Sequence, residues 1–295
     1  MSGPRGWYRN PWRKPRVLQV ATWGYLAWSI LPVIIAIVIS FNSGRSSATF
    51  QGFSLQWWNG APQGDAQGSL FKSPDLHAAI IQTIRLSIIV MLIAVPLGVA
   101  FAIGLDRWRG RVAKTANFTM LASFVVPEII IGVALFYTFT YTLNAAVKLG
   151  TTAQIIGLVA FQVSYPVIVV RARLLSIGKE YEEAAMDLGA PPRAAIRRVL
   201  LPMLYPAIFA SFALVFADVV DDFVTVRYLS GGSSTETLSV KIYGAVRATP
   251  IPVYNAAASF MLFTTVVAIA VVYVLYKRFG RGQEGSAADF AAGQL

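Results

Sequence analysis

Long uninterrupted apolar runs are the feature that most restricts what this chain can fold into. Of its 295 residues, 56% are hydrophobic and only 13% are charged, about half the charged fraction of an ordinary globular protein. A helix needs about 20 mostly apolar residues to cross about 30 Å of hydrocarbon. The runs predict an all-α, polytopic membrane protein with six transmembrane helices, at 17–41, 79–105, 116–142, 153–170, 202–221 and 256–276.

The distribution of basic residues predicts the orientation of these spans. Eighteen of the 25 Lys and Arg residues lie before span one, between spans two and three, between spans four and five, or after span six. Because cytoplasmic loops are enriched in Lys and Arg, we expect both termini in the cytoplasm. Residues 1–16 then form a basic cytoplasmic N-terminus, 17–276 the six-helix membrane domain, and 277–295 a disordered cytoplasmic tail rich in Gly, Ala and Ser.

Several classes of function are excluded or disfavoured by what the sequence lacks. The chain has no cysteine and a single histidine, His77, so neither a zinc–thiolate site nor any other metal site is predicted. The net charge of +11 follows the membrane pattern and does not predict nucleic-acid binding. No glycine-rich phosphate loop is present, and the connections, at most about 35 residues, are too short for a catalytic domain. The absence of an internal repeat disfavours a secondary transporter built from two inverted halves.

One cytoplasmic segment, 178–202, is predicted to form two short helices joined by a turn. Gly189 can close the first helix in a left-handed conformation, and the prolines after it suit the start of the second. Ala184 and Ala185 would let another protein surface approach closely, although a membrane-surface amphipathic helix is an alternative interpretation. Acidic residues in the first turn suit the helix macrodipole; they are Glu180, Glu182 and Glu183.

The same segment resembles the EAA signature of permease subunits of binding-protein-dependent ABC importers. The matching residues are Glu183, Ala184, Ala185, Gly189, Val199, Leu201 and Pro202, with Val199 at a position where isoleucine is usual. The resemblance implies the type I ABC importer permease fold, in a bacterial cytoplasmic (inner) membrane. It also implies that the loop 178–199 inserts into a cleft on a separate ATPase, with Glu183 contacting the ATPase and Gly189 permitting the bend.

The resemblance further implies the partners and the mechanism. The chain would be a non-catalytic subunit with no cofactor of its own, because ATP and Mg would be bound by the partner ATPase. Its partners would be a second permease subunit in a heterodimer, two ATP-binding subunits, membrane lipid and an extracytoplasmic substrate-binding protein. That binding protein would dock on the outer loops, chiefly 42–76 and 227–255, and transport would proceed by alternating access.

The C-terminal third resembles the spermidine/putrescine permeases, and within them the PotC-type subunit. The residues that carry this likeness are Asp221-Asp222-Phe223-Val224, Tyr228-Leu229-Ser230-Gly231 and Thr237-Leu238-Ser239-Val240-Lys241-Ile242-Tyr243. Arg227 departs from the aromatic or small residue expected there. The resemblance implies polyamine cargo. The alternatives are the same importer class with a phosphonate, an opine-like compound, ferric iron or a sugar as cargo, or a secondary transporter.

Four acidic residues are candidates for the translocation path. Glu128 lies about 12 residues into span three, roughly 18 Å from the inner surface, where an ionisable group costs about 2.5–3.5 kcal/mol. We therefore expect Glu128 to face the bundle interior, as part of a path or paired structurally. Asp218, Asp221 and Asp222, at i, i+3 and i+4, are predicted to share one helical face near the outer mouth. There they would either attract a polycation or simply be solvated.

Overall fold

The computed structural model describes residues 16–60, 68–108, 110–248 and 251–292. All the regular elements in these ranges are helices, apart from one bridge between Asn42 and Phe53. The predicted N-terminal segment lies outside them except for Arg16. The α-helices are α1 (Arg16–Ile39), α2 (Gln56–Asn59), α3 (Pro74–Arg107), α4 (Arg111–Val125), α5 (Glu128–Tyr137), α6 (Thr151–Gln162), α7 (Ser164–Ile177), α8 (Glu180–Asp187), α9 (Pro192–Ala195), α10 (Leu201–Asp221), α11 (Val224–Leu229), α12 (Leu238–Ala248) and α13 (Pro252–Ala292).

Five helical segments in the described ranges are long and apolar enough to cross a membrane. They are Val17–Ile39, Pro74–Arg107, Thr151–Ile177, Pro192–Asp221 and Pro252–Arg278. The prediction of an all-α polytopic membrane protein is confirmed. The count of six spans and the cytoplasmic position of both termini stay predictions.

The third predicted span, 116–142, is not a single helix. Helix α4 ends at Val125 and α5 begins at Glu128, with extended backbone at Val126 and Pro127. Proline disfavours helical conformation in the residue before it and lacks the N–H that would continue the helical hydrogen bonds. After α5, a π-helical turn covers Thr138–Thr142. The break places the carboxyl group of Glu128 at the start of a short helix rather than in the middle of a long one.

The fifth span begins earlier than predicted. A π-helical turn at Ile196–Leu200 joins α9 to α10, so the helix runs from Pro192 to Asp221 without interruption. The second short helix predicted after Gly189 is therefore the first turn of the span itself. We call the segment Pro192–Asp221 the central helix, since it packs against α3, α7 and α13.

The chain after Lys277, predicted to be disordered, continues α13 as far as Ala292. This part of the chain contains Ala, Glu and Gln among its Gly and Ser residues, and those side chains favour helix. The cytoplasmic location of the tail stays a prediction.

Close packing of spans two, four and five fixes the position of the central helix. Leu86, Leu158, Leu204 and Val215 are fully buried in this core. Helices α3 and α7 approach so closely that a Cβ atom on Gly98 would lie 2.4 Å from Cγ of Pro166. Only glycine fits such an approach without displacing a neighbour.

A second apolar core lies at the end of the bundle where the central helix ends at Asp221. Trp57 and Leu70, from the first long loop, which connects α1 and α3, pack there with Leu76 of α3, Leu238 of α12 and residues of α13. The indole Nε1 of Trp57 donates a 2.7 Å hydrogen bond to the backbone oxygen of Asn42. The first long loop is thereby anchored to the bundle rather than free in solvent.

Candidate functional site

At one end of the central helix, the predicted helix–turn–helix is present. Gly189 has φ +88°, which is the left-handed conformation expected of it. The backbone N–H of Gly189 donates to the oxygen of Met186 at 2.9 Å, and that of Ala190 donates to the oxygen of Ala185 at 3.0 Å. Both hydrogen bonds close the carboxyl end of α8.

The residues of the predicted coupling signature divide into two groups. Glu183 and Ala184 are exposed on α8, Ala185 is half-buried, and Gly189 is exposed in the turn. The remaining three, Val199, Leu201 and Pro202, are half-buried in the first turns of the central helix. Beside the first group, the side chain of Leu188 is 91% exposed. The signature therefore includes residues of the exposed tip and residues in the first turns of the central helix.

Glu182 has a role that sequence reasoning did not separate from its neighbours. Glu182 is only 7% exposed, and its carboxylate pairs with the guanidinium of Arg107, 75 positions earlier at the end of α3. Arg107 also lies 3.1 Å from the carboxylate of Asp106. A cavity of about 280 Å³ borders this ion pair and is also lined by Glu183 and Met186. The pair fastens α8 to span two.

At the other end of the central helix, three carboxyl groups meet, one at the start of α5 and two at the end of α10. We call Glu128, Asp218 and Asp222 the acid cluster. Glu128 lies close enough to Asp218 and Asp222 for their charges to act on its carboxyl group. Asp222 is 7% exposed and accepts a 3.2 Å hydrogen bond from the backbone N–H of Val226.

A buried glutamine orients the third carboxylate of the acid cluster. The amide Nε2 of Gln162 donates to Oδ2 of Asp218 at 2.6 Å. The hydroxyl of Tyr165 lies 3.5 Å from the other oxygen of Asp218. The structure thus brings Glu128 together with two of the three aspartates, although they are far apart in sequence.

Asp221 lies beside the acid cluster rather than within it. Its charge also acts on Glu128, but it is exposed and lines a separate cavity with residues of α12 and α13 that include Leu238 and Met261. On a helix, Asp221 and Asp222 point about 100° apart with Asp218 between them. Asp221 therefore lies at the edge of the predicted face that is nearer to α12 and α13.

A network of buried amides holds the segment that follows the acid cluster. Gln154, fully buried in α6, donates to the backbone oxygen of Thr235 at 2.8 Å and lies 3.2 Å from the hydroxyl of Ser230. Its own oxygen accepts a 3.0 Å hydrogen bond from Gln82 of α3. Sequence reasoning missed Gln154 and Gln162. The signal available was a pair of amide side chains inside an otherwise apolar span, where each buried polar group needs a partner.

A positively charged cavity begins one residue after the acid cluster. It has a volume of about 450 Å³, and we call it the basic cavity; its lining includes Phe223, Arg227, Glu236, Lys241, Tyr243, Arg247 and Tyr254. The rings of Phe223 and Tyr243 have centroids 4.2 Å apart, and the guanidinium of Arg247 lies 4.6 Å above the Tyr243 ring. The hydroxyl of Ser239, on the same helix as Tyr243, donates to the backbone oxygen of Asp222 at 2.9 Å.

Comparison with known proteins indicates a transport family. Residues 94–284 match the family described as "Binding-protein-dependent transport system inner membrane component". The chain is 27% identical over 259 residues to the spermidine/putrescine transport system permease protein PotC of Escherichia coli K12, covering 88% of this chain and 93% of that protein. It is 29% identical over 258 residues to the putrescine transport system permease protein PotI of the same strain, covering 86% of each.

Chains of two solved ABC transporters share the fold of this chain. A chain of a bacterial ABC transporter involved in the import of the acidic polysaccharide alginate superposes with a TM-score of 0.70 at 18% identity, covering 89% of this chain and 95% of that one. A chain of the MetNI methionine ABC transporter superposes with a TM-score of 0.54 at 19% identity, covering 69% of this chain and 94% of that one. At these identities the likeness concerns the fold alone.

Proposed function

We infer the function of this chain from the premise that it belongs to the family of binding-protein-dependent transport system inner membrane components. It is a multi-pass permease subunit of an ABC importer in a bacterial inner membrane, and the predicted class is confirmed at that level. We propose that ATP is hydrolysed on two separate subunits, with ATP and Mg bound there, and that a second permease subunit completes the path. An extracytoplasmic binding protein delivers the cargo.

The proposed docking site for the ATPase is the loop 178–199. Its exposed tip presents Tyr181, Met186 and Leu188 near Glu183, before the turn at Gly189. Exposed apolar groups rimmed by polar residues are typical of a contact with another protein. The ion pair between Glu182 and Arg107 fastens this tip to span two, while the chain continues directly into the central helix. Movement of the ATPase would therefore reach two spans at once.

The proposed cargo is a polyamine, and the acid cluster is the observation that carries this proposal. Three carboxyl groups, from the start of α5 and the end of α10, lie close together, and their mutual repulsion is unfavourable unless a cation or a proton balances it. The ammonium groups of a polyamine supply that balance through charge-assisted hydrogen bonds. The relatives PotC and PotI are named as permeases for spermidine and putrescine, or for putrescine.

The residues of this chain have defined parts in the proposed passage of cargo. Gln162 fixes the carboxylate of Asp218, and the first backbone N–H groups of α11 hold Asp222 and Glu128. Carboxylates held in this way do not need to reorganise when an ammonium group arrives, so less free energy is spent on ordering them. Alternating access then requires that the cluster face the outside and the inside in turn.

The proposed function is tested by reconstituting the chain with its partner permease, ATPase and binding protein in vesicles. We expect uptake of labelled spermidine or putrescine that depends on ATP and on the loaded binding protein. Uptake in the absence of ATP would instead indicate a secondary transporter. ATP-dependent uptake of a phosphonate or a sugar, with no polyamine uptake, would overturn the cargo assignment while leaving the importer assignment intact.

A further inference from the structure

The basic cavity has an excess of positive charge that the path for a cationic cargo does not explain. Glu236 is its one carboxylate among the lining residues given above, and this group already pairs with Arg227 at 2.9 Å and with Lys241 at 3.1 Å. Arg247 is exposed and stacks on Tyr243, and no carboxylate in the described part of the chain lies within ion-pair distance of it. Three cations against one carboxylate leave two positive charges in excess.

The basic cavity lies on the extracytoplasmic side if the loop 178–199 is cytoplasmic. The central helix separates the two regions by its 30 residues, which is about 45 Å at 1.5 Å per residue. The cavity is also accessible to another protein. The side chain of Arg227 is 57% exposed, and Tyr243 is 44% exposed. A partner that approaches the outer face can reach both residues without displacing a helix.

The cavity is unsuited to a polyamine, because its net charge has the same sign as the ammonium groups. It is suited to a carboxylate, which can accept hydrogen bonds from Arg247 and from the free donors of Arg227 and Lys241. The aromatic rings of Phe223, Tyr243 and Tyr254 supply an apolar wall around the charge. Aromatic residues and arginine are enriched among the few residues that contribute most of the binding free energy in protein–protein contacts.

We propose that the basic cavity receives an Asp or Glu side chain of the extracytoplasmic binding protein when that protein docks. This inference rests on the proposed function, since it needs a binding protein that delivers cargo at this face. The cavity is also next to the acid cluster, because Phe223, one of its lining residues, follows Asp222 directly. The positive charge of the cavity is then neutralised only while the binding protein is seated, so the repulsion of the cavity for a cationic cargo falls at the moment of delivery.

The test is a titration of ATPase activity with cargo-loaded binding protein, using the complete transporter in lipid nanodiscs. Arg247→Glu reverses one charge without removing an internal ion pair. We expect it to raise the half-saturating concentration of binding protein about tenfold, as loss of one charge-assisted contact would. The maximal stimulated rate should stay unchanged, and Arg247→Lys should restore most of the affinity. Glu236→Gln, which increases the positive excess, should shift the half-saturating concentration in the opposite direction.

Lys148→Glu is the matched control, because Lys148 is an exposed cation in a different loop and does not line the basic cavity. An unchanged half-saturating concentration for Arg247→Glu, or an equal shift for Lys148→Glu, would overturn the proposal. A change in the concentration dependence of cargo uptake at saturating binding protein would assign the cavity to cargo and would also overturn it. If the binding protein failed to stimulate the wild-type complex, the proposed function itself would be at fault.

Discussion

At one end of the central helix the candidate functional residues lie in a single segment, 178–202, whereas at the other end they come from the start of α5 and the end of α10. The coupling loop is held by one ion pair from outside the segment, between Glu182 and Arg107. The acid cluster exists only because the start of α5, after the break in the third span, meets the end of α10. The comparison teaches that the end proposed to contact another protein is built locally, whereas the end proposed to contact cargo is built by tertiary structure.

The two ends also differ in how their charges are satisfied. On the coupling loop, Glu183 and Glu180 are exposed to solvent and only Glu182 is buried. In the acid cluster, Asp218 and Asp222 each have a hydrogen-bond donor from a neighbouring element. Exposed charges are screened by water and salt, so substitutions on the loop should act through lost contacts. Substitutions in the cluster should act through electrostatics in a partly dry environment.

The largest expected effect comes from removing a charge from the acid cluster. Asp222→Asn and Glu128→Gln should each lower the apparent second-order rate of polyamine uptake about 100-fold, because two charge-assisted contacts with the cargo are weakened together. Asp221→Asn is the matched control and should change uptake less than threefold or so, since Asp221 lies outside the cluster. Uptake rates in vesicles, with co-purification of the ATPase to verify assembly, measure both. Equal losses for Asp221→Asn and Asp222→Asn would contradict the division described above.

The next largest effect is expected from Glu182. Replacing it by Gln leaves Arg107 paired only with Asp106 of its own helix, and α8 is then no longer fastened to span two by an ion pair. We expect ATPase stimulation by the loaded binding protein to fall about tenfold while basal ATPase activity is retained.

The exposed Glu180→Gln, on the same helix turn, should leave stimulation unchanged. The double variant Arg107→Glu/Glu182→Arg should recover part of the stimulation, because it restores a pair with reversed charges. A double variant no better than either single one would show that the pair does not couple the loop to the span.

A smaller effect is expected for Glu183→Ala on the exposed tip. The Glu183 carboxylate is exposed in the isolated chain, so the substitution should not change the stability of the chain. It should weaken only the proposed contact with the ATPase. We expect uptake and stimulated ATPase activity to fall severalfold, consistent with one lost interfacial hydrogen bond. Wild-type values for both would remove Glu183 from the proposed coupling contact.

The smallest effect is expected at Gly189. Its φ of +88° costs a residue with a side chain about 1–2 kcal/mol, but no atom lies within 4 Å of the position of a Cβ. Gly189→Ala should therefore lower the melting temperature of the purified chain only slightly. Gly189→Asn should lower it less, because asparagine adopts left-handed backbone readily. A large loss for both variants would mean that a partner packs against this glycine.

The coupling loop was also easier to predict from the sequence than the acid cluster. The spans and the helix closed by Gly189 were predictable because periodicity, composition and turn residues act over a few positions. The break in the third span could have been inferred from Pro127, which the sequence displays. The pairing of Glu128 with Asp222 could not, since no local rule specifies which broken segments meet.

The errors at the acid cluster have a physical cause. Spacing alone grouped Asp221 with its neighbours, but a face about 100° wide has two edges, and the edge with Asp221 lies against α12 and α13. Gln154 and Gln162 were missed because a polar side chain in an apolar span can face a partner, water or cargo. Only the structure shows that Gln154 bonds to Thr235 and that Gln162 bonds to Asp218.

A helix that continues without a break from Pro192 to Asp221 joins the ATPase side and the cargo side in one equilibrium. Thermodynamic linkage is reciprocal: if nucleotide on the ATPase changes the affinity of the acid cluster for cargo by some factor, cargo changes the affinity for nucleotide by the same factor. Typical coupling free energies of about 1–3 kcal/mol correspond to factors of about 5–150. If the proposed function holds, cargo at the outer end is therefore a ligand that the nucleotide site senses, even though neither binds near the other.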